Sequence, residues 1–474
     1  MRGMSEFARC QIVPPYVLEA LAASGDPQVA VWATRSLAHD AELRARRQGL
    51  PGLAPAPSMP SRPGPAPGGP GAPHRVVSDA RGTDALPGTL VRDEGDDPTG
   101  DPAADEAYDG LGHTWQLYSS AFGRNSLDGR GMPMLATVHF GRAYDNAFWD
   151  GTQMVFGDGD GRYFQRFTRS LDVIGHELTH GVTELTAGLT YRGQSGALNE
   201  SVSDVFGSLV RQRALGHDAV EADWLIGADL FTDVVQGDAL RSLKAPGTAY
   251  DDPALGRDPQ PAHMRDYVQT TDDNGGVHIN SGIPNHAFYL VATALGGSAW
   301  EAAGRIWYAA LTGPGISADC DFATFAGLTT AAAEAEFGGG SREVSAVESA
   351  WDAVGVLGPA AVPVPGGAAE QPPAEGGGEP GAATEVLVRR TGGLAGLTRE
   401  RSVRLADLPG QDAEVWRALL GGGQLLALAD APTYPDAYCY EVCCRAPKVR
   451  VSLPEPGLPG SLRDLLERTL APEG

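Results

Sequence analysis

Two histidines four positions apart constrain this chain more than any other feature. Residues 176–180 read His-Glu-Leu-Thr-His, and Glu200 follows twenty positions after the second histidine. Positions i and i+4 of a helix lie on one face, so His176 and His180 can bind one metal ion. Imidazole nitrogens suit zinc, and a third ligand from a later helix leaves one position open for water. Glu177 can take a proton from that water and pass it to a leaving amine, which indicates a zinc hydrolase.

The five-residue pattern alone is weak, because it also occurs on solvated faces of helices. Four further segments strengthen it, and they are residues 144–151, 196–207, 240–243 and 273–282. Together they resemble the thermolysin family of zinc endopeptidases, in the family's order and at family-like separations, over residues 77–358. The resemblance implies an α+β fold with two lobes, namely a mixed lobe with the zinc helix at 77–205 and a mainly helical lobe at 206–358. Strand-like runs at 134–140 and 153–157 precede the zinc helix.

The resemblance assigns the metal chemistry to five residues. His176, His180 and Glu200 correspond to the zinc ligands, and Glu177 corresponds to the general base. Asp204 lies one helical turn beyond Glu200, so its carboxylate can reach a ligand histidine, and by similarity it orients His176. Zinc is therefore the expected cofactor.

The resemblance also implies a pair of residues that stabilise the transition state. Tyr191 and His278 match the side chains that hydrogen-bond the oxyanion of the tetrahedral intermediate, and Asp273 would orient His278. Taken alone, His278 could be an ordinary turn histidine after two glycines, but its flanking sequence fits the family pattern.

Five further residues are expected to bind substrate. Asn146 and Ala147 match the segment that aligns the substrate backbone, largely as an added strand. Arg241 matches the residue that binds a substrate carbonyl near the primed-side pocket. Val173 and Leu240 would line that pocket, which implies cleavage before a bulky apolar residue.

The family's paired calcium site is expected to be lost. Asp172 and Asp223 remain at its positions, but the other positions hold Arg211, Leu225 and Ala228. Two calcium ions need many anionic oxygens, and an arginine among them would repel the ions. We expect Arg211 to pair with Asp172 in the space a cation would fill, while a single calcium elsewhere stays open.

The N-terminal part is identified as a pro-segment. Residues 1–48 combine an Ile-Val-Pro-Pro-Tyr segment with a helical pattern interrupted at 25–27, and residues 49–76 form a linker rich in Pro and Gly. The segment resembles the short propeptide of protealysin-type members of the family. Cys10 could ligate zinc as a thiolate and keep the enzyme latent, or it could simply pack on the catalytic domain.

A second linker at 359–383 precedes a small domain at 384–474 with an α+β pattern. Strands are predicted at 385–390, 402–405, 424–429, 437–444 and 448–453, and helices at 413–420 and 461–469. The run 389–397 resembles emfourin, a small protein inhibitor of protealysin-type enzymes. A tethered inhibitor would meet its site at an effective concentration near millimolar, on the order reached with short flexible linkers. The alternative is an accessory domain that binds substrate or a surface.

The composition of the chain restricts its binding partners and its cellular compartment. The net charge of −24 argues against nucleic acid, and no apolar run approaches transmembrane length. Residues 1–8 lack the apolar core of a secretory signal, so we expect a monomer that is cytoplasmic on synthesis, with non-classical export left open. The odd number of five cysteines argues against a disulfide framework. The cluster of Cys439, Cys443 and Cys444 favours ordinary thiols over a second zinc site.

The sequence therefore predicts a zinc-dependent neutral metalloendopeptidase precursor that acts on peptide and protein substrates. Its latency would come from the intramolecular pro-segment and the C-terminal module. One alternative is a catalytically silent relative used as a binding protein. Another is a zinc hydrolase that acts on a non-peptide amide or ester.

Overall fold

A computed structural model of the chain describes residues 11–47, 71–357, 384–392, 399–421, 438–444, 449–454, 458 and 460–470. The chain divides into two compact units, Met1–Val362 and Pro363–Gly474. No helix in these described ranges is long and apolar enough to cross a membrane.

The first unit opens with two helices, α1 (Pro15–Ala22) and α2 (Pro27–Arg47). The break between them lies at the predicted interruption. Gly25 has a left-handed backbone, and the side chain of Asp26 accepts hydrogen bonds from the backbone N–H groups of Gln28 and Val29. A proline at the first position of α2 needs no hydrogen-bond partner for its nitrogen, so the chain can turn and restart as a helix here.

A five-stranded sheet with the order β2-β1-β3-β5-β4 forms the N-terminal lobe. Its strands are β1 (Arg75–Asp79), β2 (Thr89–Arg92), β3 (Met134–Val138), β4 (Ala147–Trp149) and β5 (Met154–Phe156). The three central strands are parallel, and the two edge strands run antiparallel to them. Two helices belong to this lobe, α3 (Pro102–Phe122) and α4 (Leu171–Leu185). Because β4 is an edge strand of this sheet, an extended peptide can add to it as a further strand.

Helices dominate the second lobe. They are α5 (Gly193–Leu215), α6 (Asp273–Asn280), α7 (Gly282–Leu295), α8 (Ala302–Thr312), α9 (Phe322–Phe337) and α10 (Arg342–Ala353). Two short antiparallel pairs accompany them, β6 (Leu225–Ile226) with β7 (Arg241–Ser242) and β8 (Asp251–Asp252) with β9 (Gly256–Arg257). The predicted α+β, two-lobed architecture is confirmed.

Two glycines allow α4 and α5 to pack closely. A Cβ at Gly207 would lie 2.4 Å from the backbone oxygen of Asp172, and a Cβ at Gly175 would lie 3.0 Å from the Cα of Gly207. Because the backbone itself fills that space, a side chain at either glycine would separate the helices. The close approach holds His176 on α4 near Glu200 on α5.

The second unit contains a four-stranded antiparallel sheet with the order β11-β10-β12-β13. Its strands are β10 (Glu385–Gly392), β11 (Arg399–Arg404), β12 (Tyr438–Cys444) and β13 (Val449–Pro454), and its helices are α11 (Gly410–Gly421) and α12 (Gly460–Leu470). Trp416 is fully buried and its Nε1 donates to Thr469 Oγ1 at 3.0 Å. Four predicted strands and both predicted helices are present, whereas the strand expected at 424–429 lies outside the described residues.

Candidate active site

Three buried side chains meet between α4 and α5. His176 Nε2 lies 3.0 Å from His180 Nε2 and 3.5 Å from a Glu200 carboxylate oxygen, and His180 Nε2 lies 3.8 Å from the other oxygen. Among the described residues, these three form the group of His, Cys, Asp and Glu side chains suited to hold a metal ion. Zinc bonds of about 2.0–2.1 Å in a tetrahedron place ligand atoms about 3.4 Å apart, so this set fits zinc.

Hydrogen bonds at the opposite ring nitrogens direct both Nε2 atoms toward this centre. His176 Nδ1 is 2.8 Å from Asp204 Oδ1. His180 Nδ1 is 2.8 Å from Asn199 Oδ1 and 3.1 Å from Ser203 Oγ. The sequence predicted a partner for His176 but missed those of His180, although Asn199 directly precedes Glu200. Such contacts fix the ring orientation of a metal ligand.

Arg241 and Asp204 form a buried ion pair behind the metal ligands. Arg241 Nε donates to Asp204 Oδ2 at 2.9 Å and Nη2 donates to Oδ1 at 2.8 Å. Asn285, which the sequence did not single out, donates to Oδ2 at 2.8 Å. Burial alone would raise the pKa of Asp204, but Arg241 and then His176 lower that pKa well below its usual range. Asp204 is therefore an anion that can accept from His176.

Glu177 lies fully buried beside the candidate metal ligands. One of its carboxylate oxygens accepts from the backbone N–H of Trp149 at 3.0 Å, and the other has no partner among the described residues. Burial, followed by the charge of Glu200, raises the pKa of Glu177 well above its ordinary value. A carboxylate with a raised pKa and an oxygen available in the cleft can accept a proton from a substrate water.

Tyr191, His278 and Asp273 lie on the other side of Glu200. His278 Nδ1 is 2.6 Å from Asp273 Oδ1, and its backbone N–H donates to Asp273 Oδ2 at 2.8 Å. Tyr191 Oη lies 3.2 Å from His278 Nε2 and also donates to Glu200. Burial lowers the pKa of His278, but Asp273 and Glu200 raise it to about 9 overall. The start of α6 is not helical, because residues 273–276 have a left-handed backbone, and this turn brings Asp273 to its histidine.

Residues 11–13 run along the predicted substrate-binding residues. Ile12 N–H donates to Ala147 O at 3.3 Å. Val13 N–H donates to Asn146 Oδ1 at 2.9 Å, and Asn146 Nδ2 donates back to Val13 O at 3.2 Å. Arg241 Nη1 donates to Ile12 O at 3.0 Å. The three residues that the sequence assigned to the substrate backbone and its carbonyl therefore bind one peptide segment.

The apolar residues expected at the primed-side pocket are buried as well. Val173 and Leu240 belong to the large hydrophobic core of the first unit, as do Ile12 and Val13, whose side chains are fully buried. The remaining predicted site residue, Cys10, lies outside the described residues.

Arg211 lies among three carboxylates at the positions of the family's calcium site. Its guanidinium nitrogens are 2.6 Å from Asp229, 3.4 Å from Asp172 and 3.5 Å from Asp223. The sequence pointed to Asp172 and missed Asp229. The guanidinium group of Arg211 thus pairs with carboxylates that could otherwise serve as ligands of a calcium ion.

Family models match three stretches of the chain. The catalytic domain of thermolysin metallopeptidases matches residues 74–184, and their α-helical domain matches residues 187–356. The emfourin model matches residues 388–470. The first two matches contain every described residue of the metal site.

Individual relatives agree with these models. The chain is 50% identical over 347 residues to an extracellular metalloprotease of Pectobacterium carotovorum subsp. carotovorum, which covers 73% of this chain and 96% of that protein. It is 51% identical over 197 residues to an extracellular minor metalloprotease of Serratia marcescens, which covers 42% of this chain and 56% of that protein. The solved precursor of protealysin, a metalloproteinase from Serratia proteamaculans, matches with a TM-score of 0.66 at 49% identity, covering 73% of this chain and 100% of that one.

The cytoplasmic localisation expected from the sequence is wrong. Two relatives are named extracellular proteases, which points to secretion. The expectation relied on the missing apolar core in residues 1–8, and such a core serves only one kind of export route. Its absence therefore does not determine the compartment.

The resemblance found in the sequence is confirmed by the family models and by the protealysin precursor. The predicted enzyme class is confirmed with it. The chain belongs to the thermolysin family of zinc metalloendopeptidases and carries an emfourin domain in its C-terminal unit.

Proposed function

We propose that the protein is a latent, secreted neutral endopeptidase that its own pro-segment inhibits. The observation that carries this proposal is the position of residues 11–13, whose backbone is bound by Asn146, Ala147, Arg241 and His278. A substrate peptide needs the same residues. Bound substrate and bound pro-segment therefore exclude each other.

The side chains suggest how hydrolysis proceeds. His176, His180 and Glu200 would hold zinc, which when bound polarises the substrate carbonyl and lowers the pKa of water. Glu177 takes a proton from the attacking water and returns it to the leaving nitrogen. Tyr191 and His278 donate hydrogen bonds to the oxygen that gains charge, and Asp273 positions His278.

The apolar surroundings of the cleft support a preference for bulky apolar residues on the primed side. Ile12 and Val13 are both fully buried, and Val173 and Leu240 are buried in the same hydrophobic core of the first unit. Complete burial of such a side chain stabilises a complex by about 1.5–3 kcal/mol. A substrate with Leu, Ile or Phe after the cleaved bond would gain this stabilisation.

Inhibition by the pro-segment draws on more than its cleft contacts. Helix α1 buries Val17, Leu18 and Leu21, and α2 buries the carboxylate of Asp40 at 1% exposure. Tyr144 Oη donates to Asp40 at 2.7 Å. We assign residues 1–48 to the pro-segment and residues 49–76 to the linker, and we propose that cleavage within this linker releases the pro-segment.

The emfourin domain would add a second level of control. We propose that residues 384–474 inhibit the enzyme, because the domain belongs to a family of inhibitors of protealysin-type proteases. Because the domain is covalently attached, its local concentration at the catalytic domain would be about millimolar, so even weak binding would suppress activity. Whether it acts on its own catalytic domain or on another copy is decided by the concentration dependence of inhibition.

The test is hydrolysis of a peptide substrate together with intact-mass analysis over time. The wild type should hydrolyse the peptide after the chain shortens within 49–76, and a zinc chelator should stop both events. The Glu177→Ala variant should neither hydrolyse the peptide nor shorten its own chain, although it should still bind zinc. If the wild type is silent, deletion of residues 384–474 separates inhibition by that domain from a catalytically silent binding protein, which would stay inactive after the deletion.

A further inference from the structure

The pro-segment enters the cleft in a defined chain direction. Gln11 pairs with Phe148 of edge strand β4 in an antiparallel bridge, and the backbone of the next two residues bonds to Ala147 and Asn146. Residues 11–13 thus extend the N-lobe sheet by one short strand. The chain direction matters because it places the carbonyl group of Gln11 toward the catalytic side chains. The next backbone nitrogen, that of Ile12, then faces Ala147.

One peptide bond of this strand meets the catalytic residues. The carbonyl oxygen of Gln11 lies 3.1 Å from His278 Nε2, the nitrogen assigned to bind the oxyanion. The same Nε2 is 3.2 Å from Tyr191 Oη and 3.6 Å from Glu200 Oε2, a candidate metal ligand. The Gln11 carbonyl is therefore directed at the group that would stabilise negative charge on it.

The next residue completes the pattern of a bound substrate. Ile12 N–H donates to Ala147 O, its carbonyl accepts from Arg241, and its side chain is fully buried. A bulky apolar residue directly after the bond is the preference proposed above for this cleft. Gln11 and Ile12 thus occupy the positions on either side of a cleavable bond.

We propose that the Gln11–Ile12 peptide bond is a self-cleavage site, which the protease cuts within its own chain before the pro-segment is released. The inference rests on the proposed function. The oxygen of a water molecule bonds to the Gln11 carbonyl carbon, and the bond from that carbon to Ile12 nitrogen breaks. Glu177 transfers the water's proton to the Ile12 nitrogen. The water's second proton leaves the new carboxyl group and ends on the same nitrogen. The products are a carboxylate at Gln11 and an ammonium group at Ile12.

The cut does not by itself open the cleft. Residues 12–48 remain attached to the enzyme through the linker, and Val13, Val17 and Leu18 keep their buried positions. The cleaved chain is therefore a product complex that stays inhibited until the linker is cut. Residues 1–11 leave, and Cys10 leaves with them, so any ligand role of that thiol ends at this step.

Intact mass and N-terminal sequencing of the full-length protein test the proposal. The protein is kept with a zinc chelator, and zinc is then added at several protein concentrations. We expect a new N-terminus reading Ile-Val-Pro-Pro to form before the linker is cut, at a rate independent of protein concentration. Neither Glu177→Ala nor the chelated wild type should form it.

Two substitutions at the bond sharpen the test. Ile12→Asp places a charge in an apolar pocket and should slow the cut more than about tenfold, whereas Ile12→Leu should retain it. A reporter peptide of unrelated sequence is assayed in the same tubes. If the reporter is hydrolysed while the Gln11–Ile12 bond stays intact, the inference is overturned and the proposed function stands. If neither is hydrolysed, even after deletion of 384–474, both are overturned.

Discussion

The carboxylate of Asp204 joins Arg241 to His176 in one buried chain of hydrogen bonds. Arg241 donates two hydrogen bonds to it at 2.8 and 2.9 Å, and His176 Nδ1 lies 2.8 Å from the same group. Arg241 also donates to Ile12 O at 3.0 Å. The residue that binds the peptide backbone is thus connected through one carboxylate to a candidate metal ligand, so changes at Asp204 should be felt in both metal and peptide binding.

The first prediction concerns zinc affinity. Asp204→Asn keeps the shape of the side chain but removes the charge that Arg241 and His176 share. We expect zinc affinity to fall by about 10–100-fold, the usual effect of losing a group that orients a metal ligand. Competition with a chromogenic chelator measures it. Asp223→Asn, which changes a more exposed carboxylate, is the control, and an equal loss there would contradict the role of Asp204.

The second prediction concerns calcium. Arg211 lies among Asp172, Asp223 and Asp229, so the melting temperature of the wild type should not change with added calcium or a calcium-selective chelator. Arg211→Ala leaves the buried Asp172 carboxylate without its cation, and such a loss costs about 3–5 kcal/mol. Arg213→Ala, two residues further along α5, should cost much less.

Arg211→Glu provides the complementary test. It restores an acid at the position where the family's calcium site has one, beside three carboxylates. This variant should be unstable without calcium and should regain thermal stability when calcium is added. A wild type stabilised by calcium to the same extent would show that Arg211 does not replace the ion.

The third prediction concerns the strength of pro-segment binding. Asp40 of α2 accepts from Tyr144 Oη at 2.7 Å and from Asn146 Nδ2 at 3.2 Å. Asp40→Ala removes two buried hydrogen bonds, which costs the pro-segment-bound state about 1–3 kcal/mol. Activation of the precursor, followed with a peptide substrate, should therefore be several-fold faster. Glu19→Gln on the exposed side of α1 should leave the activation rate unchanged.

The sequence could predict the site residues that are close together in the chain, but not those that meet only in the folded protein. Local spacing was enough for His176 and His180, because the i,i+4 geometry of a helix is fixed. Asn285 and Asp229 could not be found in this way, since their roles arise only when segments distant in sequence pack together. The cellular compartment could not be predicted from residues 1–8, because the apolar core that they lack serves only one kind of export route.

The contacts of residues 11–13 in the cleft could not be predicted from the sequence either. The sequence indicated a pro-segment at 1–48 by resemblance, and it offered Cys10 as either a zinc ligand or a residue that packs on the catalytic domain. It could not reveal that Gln11 and Ile12 bind backbone to backbone along β4. Backbone hydrogen bonds are made by main-chain N–H and C=O groups that almost every residue carries, so they leave no pattern in the sequence.

The last prediction concerns stability above neutral pH. His139 Nδ1 is 2.9 Å from Asp158 and its Nε2 is 2.7 Å from Asp101. The bond to Asp158 raises the pKa of His139 against the opposing effect of burial, and with Asp101 the pKa reaches about 9. Since the folded-state pKa lies above the ordinary value of about 6.5, the stabilisation is complete below that pH and is lost as the pH rises through 9.

Thermal unfolding of wild type and His139→Asn across this range tests the assignment. Asn suits the left-handed backbone at this position, where φ is 55°, so the substitution should remove the ion pairs with little strain. We expect the wild type to exceed the variant in stability at pH 6 by on the order of 1 kcal/mol, because partly exposed carboxylates are screened by water. The difference should shrink toward zero above pH 9. A difference that is constant across the range would mean that His139 contributes through packing and not through its charge.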